Sequence, residues 1–141
     1  ADAGGAALAK RDNPELAYKI YTFKEFINSS DLINNVLLVC SPQPYDIEMF
    51  EQVCSHTKST VIMLNGKLED PIVGIGSVGR EMRKRFAEKW QVVYFVQPLS
   101  LGALLKKFPN DWELYKLESN EYSYVKSFVK RPDDETIILN L

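Results

Sequence analysis

Histidine occurs once in this sequence, at position 56, and cysteine only twice, at 40 and 54. Two cysteines cannot build a disulfide framework. Both stand in apolar surroundings, so buried free thiols in a reducing compartment are expected. A single histidine leaves little for a zinc site, and Cys54-Ser55-His56 is not metal-ligand spacing on a helix. It leaves as little for a Ser–His catalytic pair. Long apolar runs are also missing: the run at 92–96 has the length of a strand, and nothing is long enough to span a membrane. Neither charge sign dominates. A formal net charge of −2 gives no global attraction to nucleic acid or anionic lipid, so such binding would require a local basic patch. With 141 residues, 45% of them hydrophobic, the chain has enough material for one core without staples.

What is present is an alternation of strand-like and helix-like segments. Residues 36–40 (VLLVC) and 59–64 (STVIML) are apolar and β-branched, as strands buried on both faces require. Between them, residues 45–57 place Ile47, Phe50, Val53 and Cys54 at helical spacing, and the early acids Asp46, Glu48 and Glu51 suit a helix N-terminus. Residues 19–23 (KIYTF) fit either a short strand or the entry to a helix. Residues 65–78 hold Pro71 and several glycines without period and predict a loop; 80–90 predicts a helix with Met82, Phe86 and Trp90 on one face. Residues 91–98 predict a third strand. This order predicts an α/β fold with mainly parallel strands joined by crossovers. Beyond Pro98, residues 101–108 predict an amphipathic helix, and 112–118 with 122–130 a β-hairpin. Residues 131–141 fit a short helix entered at Pro132 or a final strand. The whole, 1–141, is expected to be one α/β domain, with 99–141 as its helix-and-hairpin extension.

The string GIGSVG at 74–79 matches the dinucleotide fingerprint G-x-G-x-x-G. That chemistry needs the glycines in a tight turn from strand to helix, where backbone meets pyrophosphate at a helix N-terminus. Here the preceding strand ends at Leu64, and no acid ends the strand at 91–98 to hold a ribose, so no cofactor is assigned. The serine-hydrolase elbow is also incomplete, because Ile75 replaces its first glycine. The phosphate loop G-x-x-x-x-G-K-[ST] is absent.

Two features remain. Segment 80–90 carries Arg80, Arg83, Lys84, Arg85 and Lys89 against Glu81 and Glu88. It fits a solvated face laced by pairs such as Glu81–Arg85, or a patch for an anion or an acidic partner. Trp112, Tyr115, Tyr122, Tyr124 and Phe128 cluster in the hairpin. About half are expected in the core and the rest on an exposed face that suits a protein partner.

In this order, the pieces DAGGAALAKRD (2–12), VLLVCSPQP (36–44), VIMLNGKLED (61–70), GREMRKRF (79–86), VVYFVQPL (92–99) and the stretch 108–135 carry a resemblance. The chain resembles a plant, algal and cyanobacterial family defined only as a domain of unknown function. That family includes a low-photosystem-II-accumulation assembly protein and the C-terminal domain of a chloroplast adenylate kinase. The resemblance implies a Rossmann-like three-layer fold lacking its N-terminal strand here, with Asp2, Gly4 and Gly5 in a strand-to-helix turn. It implies a chloroplast protein of the stroma, peripherally associated with the thylakoid, and brings no catalytic residues.

The expectation is therefore a non-enzymatic binding module, without metal or cofactor. It would dock on photosystem or light-harvesting subunits as an auxiliary subunit or assembly factor. Arg80, Arg83, Lys84, Arg85, Trp112 and Tyr115 are the expected partner-binding residues. The alternative is a nucleotide- or phosphometabolite-binding enzyme using the loops at 2–5, 41–44 and 74–80.

Overall fold

A computed structural model describes residues 2–29, 36–66, 68, 81, 85, 86 and 89–141. The chain divides into two compact units, Ala1–Lys89 and Trp90–Leu141. Each has its own apolar core.

In the N-terminal unit, helix α1 (Ala3–Asp12) starts at Asp2, whose carboxylate accepts the Gly5 N–H at 2.7 Å. This cap offsets the poor helix propensity of Gly4 and Gly5 in the first turn. A 3-10 turn (Pro14–Lys19) leads to helix α2 (Phe23–Asn28), which opens on a reciprocal cap between Thr22 and Glu25. Residues 19–23 are thus a helix entry and not a strand. Strand β1 (Val36–Cys40), helix α3 (Ile47–His56) and strand β2 (Thr60–Leu64) follow the expected order, and β1 pairs parallel with β2 from Val36↔Thr60 to Cys40↔Leu64. The core gathers around Phe50, which stacks on Phe23 at 5.7 Å and meets Phe86 in a T-shaped pair at 5.3 Å.

The expected burial of both strands on two faces is not what the structure gives. Val36, Leu38, Ile62 and Leu64 share one face of the pair and are exposed. Cys40 lies on that face and is exposed too, while Cys54 is only half-buried. An apolar run establishes that one face packs; it does not show whether the second is covered.

The C-terminal unit departs further from expectation. Strands β3 (Tyr94–Leu99), β4 (Gly102–Lys107), β5 (Trp112–Glu118) and β6 (Glu121–Phe128) form an antiparallel meander in that order. The segment expected as a third parallel strand pairs antiparallel with β4, from Tyr94↔Lys107 to Leu99↔Gly102. Only Ser100 and Leu101 join the two, and so short a connection can make only a hairpin. Residues 102–107, expected in a helix, are therefore a strand. The β5–β6 hairpin is as expected, closed by Ser119 and Asn120, both at positive φ, as a two-residue hairpin turn demands. The chain ends in helix α4 (Asp134–Asn140), capped by Asp133, which accepts the Thr136 N–H at 2.8 Å.

One face of this sheet is the core. Leu104 and Leu114 are fully buried, with Trp112 and the α4 residue Ile137, and Phe95, Leu99, Val125, Phe128 and Leu141 pack around them. Arg131 lies over this cluster, its guanidinium 4.7 Å from the Phe95 ring and 5.7 Å from that of Trp112. The described strands thus make a mixed α/β chain with a two-stranded parallel sheet and a four-stranded antiparallel one.

Candidate functional site

The opposite, outward face of the C-terminal sheet follows from strand alternation and from one irregularity. Leu104, Lys106, Trp112 and Leu114 point inward, so Leu105, Glu113, Tyr115 and Leu117 point outward. In β6 strict alternation would put Tyr122, Tyr124 and Phe128 on one side. The register shift at Leu114/Tyr115 leaves Val125 as the extra residue, so Phe128 pairs with inward Trp112 while Tyr124 pairs with outward Tyr115. The outward face gains Tyr94 and Val96 from β3, which lie opposite Lys107 and Leu105.

Its large residues are strongly exposed: Tyr94 by 68%, Val96 by 54%, Tyr122 by 56% and Tyr124 by 58%. Single exposed apolar residues are ordinary; here several share one face of a sheet, on its two edge strands.

Near the middle stands a small polar group. Tyr115 donates its hydroxyl to Glu113 Oε2 at 2.8 Å, and the Asn110 side-chain amide approaches Glu113 Oε1 at 3.4 Å. The Tyr115 and Tyr124 rings meet edge to face, 5.9 Å between centroids and 77° between planes. Tyr124 in turn shares a hydrogen bond with Ser127 at 2.9 Å. The bond to Glu113 is the main cause that raises the Tyr115 phenol above its ordinary range, with burial and the neighbouring carboxylate adding to it. Such a phenol holds its proton at neutral pH. It can donate a hydrogen bond and present a ring, but it does not act as a phenolate base.

The sequence-predicted residues fare unequally. Tyr115 is on the outward face. Trp112 is not available to a partner: only 6% exposed, it is a core residue, because it sits one strand position out of phase with Glu113 and Tyr115. Arg85 is exposed, but its guanidinium forks onto the α3 residue Glu51, with Nε to Oε1 at 2.7 Å and Nη2 to Oε2 at 2.5 Å. The expected Glu81 partner contributes only a longer-range attraction. Arg80, Arg83, Lys84 and the GIGSVG string lie outside the described residues. Tyr94 and Val96 were not singled out from the sequence, although the exposed alternate positions of the 92–96 run are their signal. Arg131 gave no signal at all, since its role arises only when the chain returns across the Phe95 and Trp112 rings.

The two loops proposed for phosphate that lie among the described residues, 2–5 and 41–44, have other employment. At 2–5 the Gly5 N–H is taken by Asp2. At 41–44 the Ser41 N–H goes to the Leu64 carbonyl at 2.7 Å and the Gln43 N–H to Asp46 Oδ2 at 2.9 Å. In two of these three bonds a carboxylate stands where an anion would have to enter. Among the described residues Ser55 and His56 do not form a nucleophile–base pair: both bond the Gln52 carbonyl of their own helix. Burial, then the nearby Glu51, pushes the Cys54 thiol up to about 11. Among the described residues no group of His, Cys, Asp or Glu could hold a metal ion, and no helix is long and apolar enough to cross a membrane.

Compared with known proteins, the chain matches one family model, described as "Domain of unknown function (DUF1995)", over residues 1–139. No curated protein and no solved structure matches it.

Proposed function

The chain belongs to the DUF1995 family, and from that premise we propose that it is a non-catalytic binding module that docks on a larger protein assembly. The observation that carries this reading is the outward sheet face, which presents Tyr94 and Val96 from β3, Tyr115 from β5, and Tyr122 and Tyr124 from β6. Tyrosine is favoured at interface centres because a large ring is buried at small entropic cost while its hydroxyl stays hydrogen-bonded.

The sequence resemblance supplies the setting. The segments quoted from 2–12 to 108–135 resemble a family with a photosystem II accumulation factor and a chloroplast adenylate kinase domain among its members. On that basis the assembly is a photosystem or its light-harvesting antenna. The chain docks peripherally from the stromal side of the thylakoid, as an auxiliary subunit or assembly factor. The β1–α3–β2 unit then belongs to a Rossmann-like three-layer arrangement, for which the parallel pairing of Val36–Cys40 with Thr60–Leu64 is the support.

Co-sedimentation with thylakoid membranes, followed by detergent release and isolation of photosystem particles, tests this. The wild-type chain is expected with the particles, and the Tyr122→Ser, Tyr124→Ser double variant in the supernatant. A wild-type chain that never accompanies the particles at low salt removes the reading.

A further inference from the structure

We propose that the outward face of the C-terminal sheet recognises a protein segment bearing an arginine between apolar residues. The guanidinium is seated on the Tyr115–Tyr124 ring pair and forked onto Glu113. The inference rests on the docking reading and adds the chemistry of the partner.

Three observations converge on arginine. Glu113 is the carboxylate that the strand register sets among the apolar and aromatic residues of this face. Its two hydrogen bonds, from Tyr115 and Asn110, leave acceptor positions open, since a carboxylate offers roughly four. Beside it the edge-to-face pair of Tyr115 and Tyr124 offers ring surface to a flat cation, and among the described residues no cation of this chain lies over either ring. The inner face of the same sheet already shows the arrangement. There Arg131 covers the Phe95 and Trp112 rings and reaches a side-chain acceptor, Gln97, at 3.3 Å. The outward face repeats the two rings and replaces the neutral acceptor with a charged one.

Guanidinium suits this better than ammonium, because it stacks on a ring in plane and donates a fork in the geometry a carboxylate accepts. Val96, Leu105 and Leu117, on the same face, take the flanking apolar side chains. The carboxylate also argues against a lipid surface, which would bury Glu113 in hydrocarbon or hold it against anionic headgroups.

The test uses the full chain, isotope-labelled, with amide shifts followed by NMR. The probe is the peptide Leu-Val-Arg-Leu-Val, blocked at both ends, compared with its lysine and glutamate counterparts. Shifts confined to the outward-face residues of β3 to β6 are expected with the arginine peptide. The lysine form should bind more weakly and the glutamate form not at all. In Glu113→Gln, which keeps an acceptor for the Tyr115 hydroxyl, arginine-peptide affinity is expected to fall about ten-fold, the loss of one charge-assisted contact.

Equal binding of the arginine and glutamate peptides overturns the proposal, as does unchanged affinity in Glu113→Gln or no shift at millimolar peptide. So does concentration-dependent self-association that shifts the same residues without peptide, because the occupant is then a second copy. Unchanged peptide affinity in Glu113→Gln, together with loss of photosystem co-sedimentation in the Tyr122→Ser, Tyr124→Ser variant, sinks the arginine inference alone. Co-sedimentation that survives the tyrosine variant sinks the docking reading beneath it.

Discussion

A Cβ atom placed on Gly102 would stand 1.9 Å from the carbonyl oxygen of Tyr115. Strand β4 can therefore lie against β5 at this point only if residue 102 has no side chain. The approach is reinforced next door, where the Leu117 N–H donates to the Leu101 carbonyl at 2.8 Å. Because the obstacle is backbone, no rotamer change relieves it, and the strands themselves must part.

Gly102→Ala is thus expected to destabilise the C-terminal unit by about 1–3 kcal/mol, the usual cost of overpacking. Thermal unfolding of the full chain measures it. Amide shifts on β4 and β5 should move even where the fold survives, Tyr115 among them, which links this inner position to the outward face. A Gly102→Ala chain with unchanged melting and unchanged β5 shifts would show that the two strands do not approach as described.

Arg85 and Glu51 give the opposite expectation, a contact that is visible and nearly silent. The pair is a bidentate fork between side chains that both keep substantial exposure. Exposed pairs contribute little, because water screens them and two long side chains must be held still. Arg85→Ala should lower Tm by no more than about 2 °C, with the difference shrinking as salt is added. It should leave thylakoid co-sedimentation intact, since the guanidinium is engaged within the chain. Loss of co-sedimentation in Arg85→Ala with normal melting would return this residue to the docking surface.

The two thiols are expected to differ in reactivity. Cys40 is exposed, whereas Cys54 is half-buried and its thiol pKa is pushed up to about 11, by burial first and Glu51 second. At pH 8 the Cys54 thiolate fraction is then on the order of one in a thousand, and only the thiolate attacks. Timed alkylation with iodoacetamide, mapped by peptide mass spectrometry, should label Cys40 first and Cys54 slowly until the chain is unfolded. Equal labelling rates in the folded chain would contradict the placement of Cys54.

Much of this fold was legible because the segments announce themselves locally. Residues 36–40, 45–57 and 59–64 have the composition and period of strand, helix and strand, and 112–118 and 122–130 alternate on either side of Ser119-Asn120-Glu121. The misreading at 101–108 has a definite cause. Leu101, Leu104, Leu105 and Phe108 satisfy helical spacing, while the true inward positions are Gly102, Leu104 and Lys106, only one of them a large apolar residue. Lys106 is buried because its amine reaches the Asn110 carbonyl, a partner that only the folded turn provides. The outward face was half legible. Alternation separates Trp112 from Tyr115, but the bulged residue Val125, which parts Tyr124 from Phe128, is a property of pairing and not of either strand. The antiparallel placement of 94–99 likewise depended on recognising Ser100-Leu101 as a hairpin turn, without the glycine or asparagine that usually marks one.

The Tyr115 phenol supplies a direct reading of the outward face in solution. Its pKa is raised, first by the hydrogen bond to Glu113, then by burial, then by the charges of Glu113 and Tyr124. The fold therefore favours the protonated phenol. The stability this contributes is fully present below the unfolded value of about 10 and is lost as pH rises through the higher folded value. The chain has seven tyrosines, so the Tyr115 transition needs assignment by NMR of ring-labelled tyrosine. It should lie above the ordinary range of a phenol, and Glu113→Gln should bring it down, because the amide keeps an acceptor but removes the charge. An arginine peptide bound at Glu113 should also lower it, by adding a positive charge beside the phenol. A Tyr115 transition that is the same in wild type and Glu113→Gln would mean that the 2.8 Å bond does not persist in solution.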